Sequence, residues 1–212
     1  MEFNDQEKMG RNTFLFRSAL NKEATLLVEE IQRMSKLSPF RKMRTRRGMM
    51  SVEMTNCGEI GWLSDTRGYR YTAIDPLTQK RWPAMPDWIQ ALANESALMA
   101  DFKQFHPNVC LINKYAPGTR LGMHIDNDEG DVQSPIVAFS LGLPALFRWG
   151  GGSPKDVTED FLLSHGDVLV WGGEDRLRYH GIQKVYEADL HQPHVNERLV
   201  MTFRYSRLWT ST

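Results

Sequence analysis

From Asn108 to Tyr205 the chain is a series of short apolar segments broken by Gly, Pro, Asn and Asp. No other feature limits its fold so strongly. This spacing predicts strands at Val109–Tyr115, Leu121–Ile125, Ile136–Leu141, Ala145–Trp149, Asp167–Trp171, Tyr179–Ile182 and Leu199–Tyr205. Many short strands joined by turn residues close into a sandwich or barrel, which leaves few edges open. The tract Asp156–Asp160 reads as a loop or a short helix. Upstream, Ala24, Leu27, Val28 and Ile31 recur at helical spacing in a segment from Asn21 to Leu37. Asn21 offers an N-cap and Pro39 a stop. A second helix is expected from Asp87 to about Met99, after Pro86. Two helices followed by a β region predict an α+β, mainly β chain: a jelly roll with N-terminal helices bracing one face.

The chain has 212 residues and is 41% apolar, enough for one compact domain with a real core. No apolar run reaches the ~18–20 residues of a membrane helix. Met1 to Gly10 is polar and mixed in charge, without the apolar stretch of a signal peptide. The expectation is a cytoplasmic, monomeric protein with no membrane partner. Cys57 and Cys110 are too few for a disulfide framework and are expected to pack as small apolar groups. Any metal therefore falls to histidine and carboxylate. The formal net charge is zero, so contact with nucleic acid would rest on a local patch. Arg41-Lys-Met-Arg-Thr-Arg-Arg47 is the most basic stretch. It reads either as a phosphate-contacting run or as a solvated one.

In Leu121-Gly-Met-His124-Ile-Asp126, strand alternation puts His124 and Asp126 on one face, where they can grip a single ion. His180, in Arg178-Tyr-His180-Gly, ends a predicted strand and can return to the same place as third ligand. Two histidines and one carboxylate leave open positions for substrate and O2, which suits non-haem iron(II). His165 opens a turn, and His106, His191 and His194 sit in polar loops; none is expected to ligate.

Such an oxygenase needs an electron source, and a 2-oxo dicarboxylate supplies one if a fixed cation holds its distal carboxylate. In Arg198-Leu-Val-Met-Thr-Phe-Arg204, alternation places Arg198, Val200, Thr202 and Arg204 on one face. Two inward arginines are costly unless paired with anions, and a planar guanidinium matches carboxylate well. Asn113 and Tyr115 share a face just before the metal pair and could bond the same co-substrate.

These residues resemble the AlkB alkylation-repair dioxygenases, in particular the bacterial branch. The likeness extends through Met54-Thr-Asn-Cys-Gly58, Trp82-Pro-Ala-Met-Pro86, Asn113-Lys-Tyr-Ala-Pro-Gly118, Ser140-Leu-Gly-Leu-Pro144, His165-Gly-Asp167, Val170-Trp-Gly-Gly173 and Tyr179-His-Gly-Ile182, in the family's order from Phe14 to Tyr205. The resemblance implies a double-stranded β-helix, with Fe(II) on His124, Asp126 and His180. It implies 2-oxoglutarate held by Asn113, Tyr115, Arg198 and Arg204. It divides the chain into a flexible N-terminus (1–13), helices with a nucleotide-recognition lid (14–107) and a catalytic core (108–212), integrated as one domain over 14–207. The implied substrates are bases such as 1-methyladenine and 3-methylcytosine in single-stranded DNA, with duplex DNA or RNA as further candidates. The implied reaction consumes O2 and 2-oxoglutarate and releases succinate, CO2 and formaldehyde.

A base within a duplex hides its pairing edge, so it must be extruded or arrive single-stranded, and it then needs a stacking surface. By resemblance Trp62 and Tyr69 line that pocket, and Asp128 recognises the exocyclic amine beside a cationic methylated ring. Two positions depart from the bacterial pattern. Val200 stands where an asparagine is usual, which predicts weaker 2-oxoglutarate binding. Pro154 falls where an arginine often reaches the base pocket, with Lys155 or Arg148 as candidate substitutes. An oxygenase acting on protein, lipid or a small molecule, and a non-catalytic nucleic-acid-binding module, are the competing readings. Trp62, Tyr69 and Asp128 speak against the first, and the intact metal set against the second.

Overall fold

The computed structural model describes residues 5–46, 48–187 and 196–207. Strands β1 (Gln6–Lys8) and β2 (Thr13–Phe16) form a hairpin, followed by helix α1 (Ala24–Leu37). Next come β3 (Arg41–Thr45), the long β4 (Gly48–Gly58), the hairpin β5 (Gly61–Asp65) and β6 (Gly68–Thr72), and the short pair β7 (Ile74–Asp75) and β8 (Lys80–Arg81). Helix α2 (Asp87–Met99) leads into β9 (Val109–Tyr115), β10 (Leu121–His124), β11 (Ile136–Gly142), β12 (Ala145–Trp149), β13 (Glu159–Leu163) and β14 (Val168–Trp171). A single 3-10 turn precedes β15 (His180–Val185), and β16 (Arg198–Arg204) follows.

An eight-stranded sheet runs β1-β2-β14-β11-β16-β9-β4-β3, and a four-stranded sheet runs β10-β15-β12-β13. All pairings are antiparallel. This is the expected jelly roll, braced by two helices. Alternation along the central strands divides the interior. Val137, Phe139, Leu141, Met201 and Phe203 face the helices, where they meet Leu27, Ile31, Met34 and Ile89. Ala138, Leu169, Trp171 and Val200 face the small sheet and meet Phe147, Trp149 and Ile182. Leu27, Ile31 and Met34 are fully buried, each contributing about 1.5–3 kcal/mol, so packing rather than propensity sets the helix.

Helix α2 and strands β9 and β12 occupy the segments expected from sequence, and the other core strands shift by one to three residues at one or both ends. Three features differ. Helix α1 starts at Ala24, and Glu23 at its N-cap makes no side-chain cap bond. Asn21 instead lies in a turn drawn onto the Gly166 loop, where Leu20 N–H donates to Gly166 O and Ser18 N–H to Asp167. That tertiary anchoring displaces the local cap. The tract around Asp156–Asp160 becomes a turn followed by β13, which pairs with β12 and sets Arg148 against Asp160. The segment expected as a flexible N-terminus contributes β1, and β2 and β4 are built into the large sheet itself.

No described helix is long and apolar enough to cross a membrane. Cys57 and Cys110 are buried, free cysteines, cross-strand partners in β4 and β9.

Candidate active site

Strands β10 and β15 are neighbours, and their register sets His124 directly opposite His180. Gly181 permits this approach, because a Cβ there would lie 2.6 Å from the Leu121 carbonyl oxygen. The imidazole centroids are 4.5 Å apart. Asp126, just past β10, lies between them: His124 Nε2 is 3.8 Å from Oδ1 and His180 Nε2 is 3.7 Å from Oδ2. Each Nδ1 faces a backbone carbonyl, Gly122 O at 2.9 Å and Arg178 O at 3.0 Å. A carbonyl only accepts, so each Nδ1 carries a proton and each Nε2 is the atom turned toward Asp126. Burial, and then His124, push the His180 imidazole down to about 4, so it is neutral near pH 7. Burial is the largest influence and opposes ionisation of Asp126, but Arg204, His180 and His124 together outweigh it and hold the carboxyl well below the usual range. Two imidazole nitrogens and one carboxylate within 4.8 Å of one another form a donor set that fits Fe(II).

Arg204 donates to Asp126 Oδ2 at 2.7 Å, and its Nε is 3.3 Å from Glu129 Oε1. This arginine thus already has two carboxylates of the chain itself. Arg198 differs. It is fully buried and donates to Leu143 O, Leu163 O and Ser140 Oγ, and no described carboxylate forms an ion pair with it. Its Nε has no acceptor. Burial lowers its guanidinium to about 10, which leaves it charged at neutral pH. A buried cation without an anion fits a carboxylate ligand. Arg198, Tyr115, Asn113, Ser140 and Thr202 line a narrow cavity of about 60 Å³ that reaches His124, Asp126 and His180. Asn113 Nδ2 donates to Tyr115 Oη at 3.2 Å.

A wider cavity of about 250 Å³ opens on the other side of His124 and Asp126. Its walls include Trp62 and Tyr69 from the β5–β6 hairpin, together with Met50, Met54, Met123 and Asp128. The Trp62 and Tyr69 rings lie 5.3 Å apart at 30°. Trp62 Nε1 donates to Asp128 Oδ2 at 3.4 Å, which orients the carboxylate. Burial, with Glu129 and Asp126 nearby, raises the Asp128 carboxyl. All ten residues singled out from sequence thus line one or both of two cavities that meet at His124 and Asp126.

Neither candidate substitute for the absent arginine lines the wide cavity: Arg148 forms a bidentate pair with Asp160 at 2.7 Å, and Lys155 lies in an exposed turn. The basic stretch divides as well. Arg41 pairs with buried Asp75 at 2.7 Å, whereas Lys42, Arg44 and Arg46 are exposed. Arg47, His191 and His194 lie outside the described residues. His165 Nδ1 accepts from Gly142 N–H in a turn, and His106 is exposed. Glu129, Tyr71 and Arg176 surround Asp126 and escaped sequence reasoning, since no local spacing marks a charged residue as buried.

A model of the 2OG-Fe(II) oxygenase superfamily matches residues 13–204. The chain is 46% identical over 200 residues to the alpha-ketoglutarate-dependent dioxygenase AlkB of Escherichia coli (strain K12), covering 94% of this chain and 92% of that protein. It is 38% identical over 182 residues to the AlkB homolog of Caulobacter vibrioides (strain NA1000 / CB15N), covering 85% and 81%. Among solved structures, OsALKBH1 matches with a TM-score of 0.81 over 93% of this chain and 100% of that one, at 24% identity, a likeness of fold. The arrangement of His124, Asp126 and His180 and these likenesses agree: the chain belongs to the AlkB family of iron(II)- and 2-oxoglutarate-dependent dioxygenases.

Proposed function

We propose that this chain oxidatively removes alkyl groups from ring nitrogens of nucleic-acid bases, 1-methyladenine and 3-methylcytosine among them, in single-stranded DNA and also in duplex DNA or RNA. It acts as a monomer in the cytoplasm. The observation that carries the reading is the meeting of two unlike cavities at one metal-ligand edge: a narrow one ending on Arg198 and a wide one walled by Trp62 and Tyr69.

His124, Asp126 and His180 would hold Fe(II). Bound iron, with 2-oxoglutarate and O2, supplies the oxidation that places a hydroxyl on the alkyl carbon. Arg198 takes the distal carboxylate of 2-oxoglutarate, and Tyr115, Asn113 and Arg204 complete the walls around it. Asn113, Tyr115, Arg198 and Arg204 are themselves buried, so the inner end of this cavity limits the access of bulk water to the co-substrate. Trp62 and Tyr69 offer an extruded base a stacking wall, and aromatic stacking contributes about 1–3 kcal/mol per base. Asp128, oriented by the Trp62 indole N–H, accepts from an exocyclic amine and complements the positive charge of an N-methylated ring. A hydroxylated N-alkyl carbon is a hemiaminal, which collapses to an aldehyde and the restored base without further catalysis.

The test is mass spectrometry of single-stranded DNA and RNA oligomers, each with one N-methyl lesion, incubated with Fe(II) and with or without 2-oxoglutarate. The expected result is a mass lower by about 14 Da (one CH2, as for any N-demethylation) only where 2-oxoglutarate is present, with formaldehyde released. Unchanged oligomers with turnover of 2-oxoglutarate would assign the oxidation to another substrate.

A further inference from the structure

A closed ring of charge surrounds Asp126. The Arg176 guanidinium, 2% exposed, donates to the Asp126 backbone carbonyl, to Ser134 O at 3.0 Å and to Glu129 Oε2 at 3.1 Å. Glu129 is equally buried, and its other oxygen accepts from the Tyr71 hydroxyl at 3.0 Å and lies 3.3 Å from Arg204 Nε. Arg204 returns to the Asp126 carboxylate at 2.7 Å. The path from Asp126 carbonyl through Arg176, Glu129 and Arg204 therefore ends on the side chain of the same residue.

Stability is a poor account of this ring. Burying an acid–base pair costs desolvation that its attraction often fails to recover, and apolar packing of equal volume commonly does as well. Position is the better account. Asp126 stands outside the strand ladder, just past β10, so its own backbone pairing does not orient it. Arg176 fixes its main chain, and Arg204 fixes Oδ2. Glu129 is the carboxylate partner of Arg176 and a second one for Arg204, which keeps Arg204 shared instead of wholly on Asp126 and leaves Oδ1 on the His124 side without a guanidinium bond. Two carboxylates and two guanidiniums also sum to zero charge beside the ligand cluster.

We infer that Glu129 and Arg176 are positioning residues for the metal ligand Asp126, and that Tyr71 ties them to the lid hairpin bearing Trp62 and Tyr69. This inference rests on the metal-site reading above.

The experiment is titration of the full chain with Co(II), reading affinity and the visible d–d absorption. It compares wild type, Glu129→Gln, Arg176→Lys and Tyr71→Phe. Asp75→Asn is the control, because it breaks another buried ion pair, with Arg41, away from the cluster. Glu129→Gln and Arg176→Lys should lower Co(II) affinity by about 10–100-fold and alter the absorption band, as removal of groups that orient a ligand does. Tyr71→Phe should weaken binding about threefold, because it frees one Glu129 oxygen of a hydrogen bond and leaves both guanidiniums on that carboxylate. Asp75→Asn should lower the melting temperature with affinity and band unchanged. Wild-type affinity and band in the folded variants would overturn the inference, as would an equal weakening in Asp75→Asn. Should Glu129→Gln not fold, Tyr71→Phe decides alone, since it leaves every charge in place. If wild type takes up no Co(II), the metal-site reading fails and this inference fails with it. Binding by wild type and by every variant alike sinks only the positioning role.

Discussion

Val200 stands directly opposite Asn113 in the β16–β9 ladder, and the Asn113 amide oxygen is buried without a hydrogen-bond donor. Both line the narrow cavity with Arg198. A valine cannot supply the missing donor, and an asparagine can. Val200→Asn should therefore tighten 2-oxoglutarate binding by roughly 0.5–1.5 kcal/mol, the net worth of one hydrogen bond. Calorimetric titration of the metal-loaded chain measures this, and equal or weaker affinity would count against the cavity assignment.

Arg198 already serves three protein acceptors and forms no ion pair with a described carboxylate. A lysine would keep the charge but lose the planar fork. Arg198→Lys should weaken 2-oxoglutarate by about 1.5–3 kcal/mol, the range for hydrogen bonds to charged groups. The effect should fall on KM for 2-oxoglutarate more than on KM for the oligonucleotide. The reverse pattern would move the co-substrate elsewhere.

His180 gives the metal-free chain a defined response to acid. Its folded value is depressed to about 4 from an ordinary 6.5. Between those values the unfolded chain binds a proton that the folded chain refuses, so stability rises with pH across this window and falls on acidification. The total decrease is on the order of 3 kcal/mol, at about 1.4 kcal/mol per pH unit. Urea midpoints at pH 7 and pH 4.5 should separate more for wild type than for His180→Gln. An equal separation would contradict the buried neutral imidazole.

Gly181→Ala tests the strand approach that sets the two histidines opposite each other. Its Cβ would stand 2.6 Å from the Leu121 carbonyl oxygen, so β10 and β15 must part. The expected cost is about 1–3 kcal/mol of stability, as for other overpacked sites, with metal affinity reduced beyond that. A variant with wild-type melting and metal binding would refute it.

The exposed residues of the basic stretch bear on the nucleic-acid interface. If Arg44 and Arg46 neutralise phosphates, replacing both with Gln should flatten the logarithmic salt dependence of single-strand binding by about 0.7 for each phosphate no longer neutralised. Arg41→Gln should instead act on stability, because Arg41 pairs with buried Asp75. An unchanged salt slope would return the stretch to plain solvated charge.

What the sequence determined by itself is what repeats along one strand or one helix. The alternation in Arg198–Arg204 put both arginines on the interior face, and the spacing of Ala24, Leu27 and Ile31 put one face of α1 in the core. Each follows from a local geometric period of 2 or 3.6 residues. What only the tertiary structure decided depends on which segments meet. The Asn21 cap gave way to a turn held by Gly166 and Asp167, far away in sequence. Strand β4 carries Met, Ser, Thr and Asn without a clean alternation, and it is a strand because β9 pairs with it. Arg41 and Arg44 look alike in the chain and differ only because Asp75 comes to one of them. Glu129 and Arg176 read as ordinary surface charge; the fold buries them at 2% exposure and closes them around Asp126. Desolvation and pairing are properties of surroundings, and the surroundings of these residues do not exist until distant segments pack.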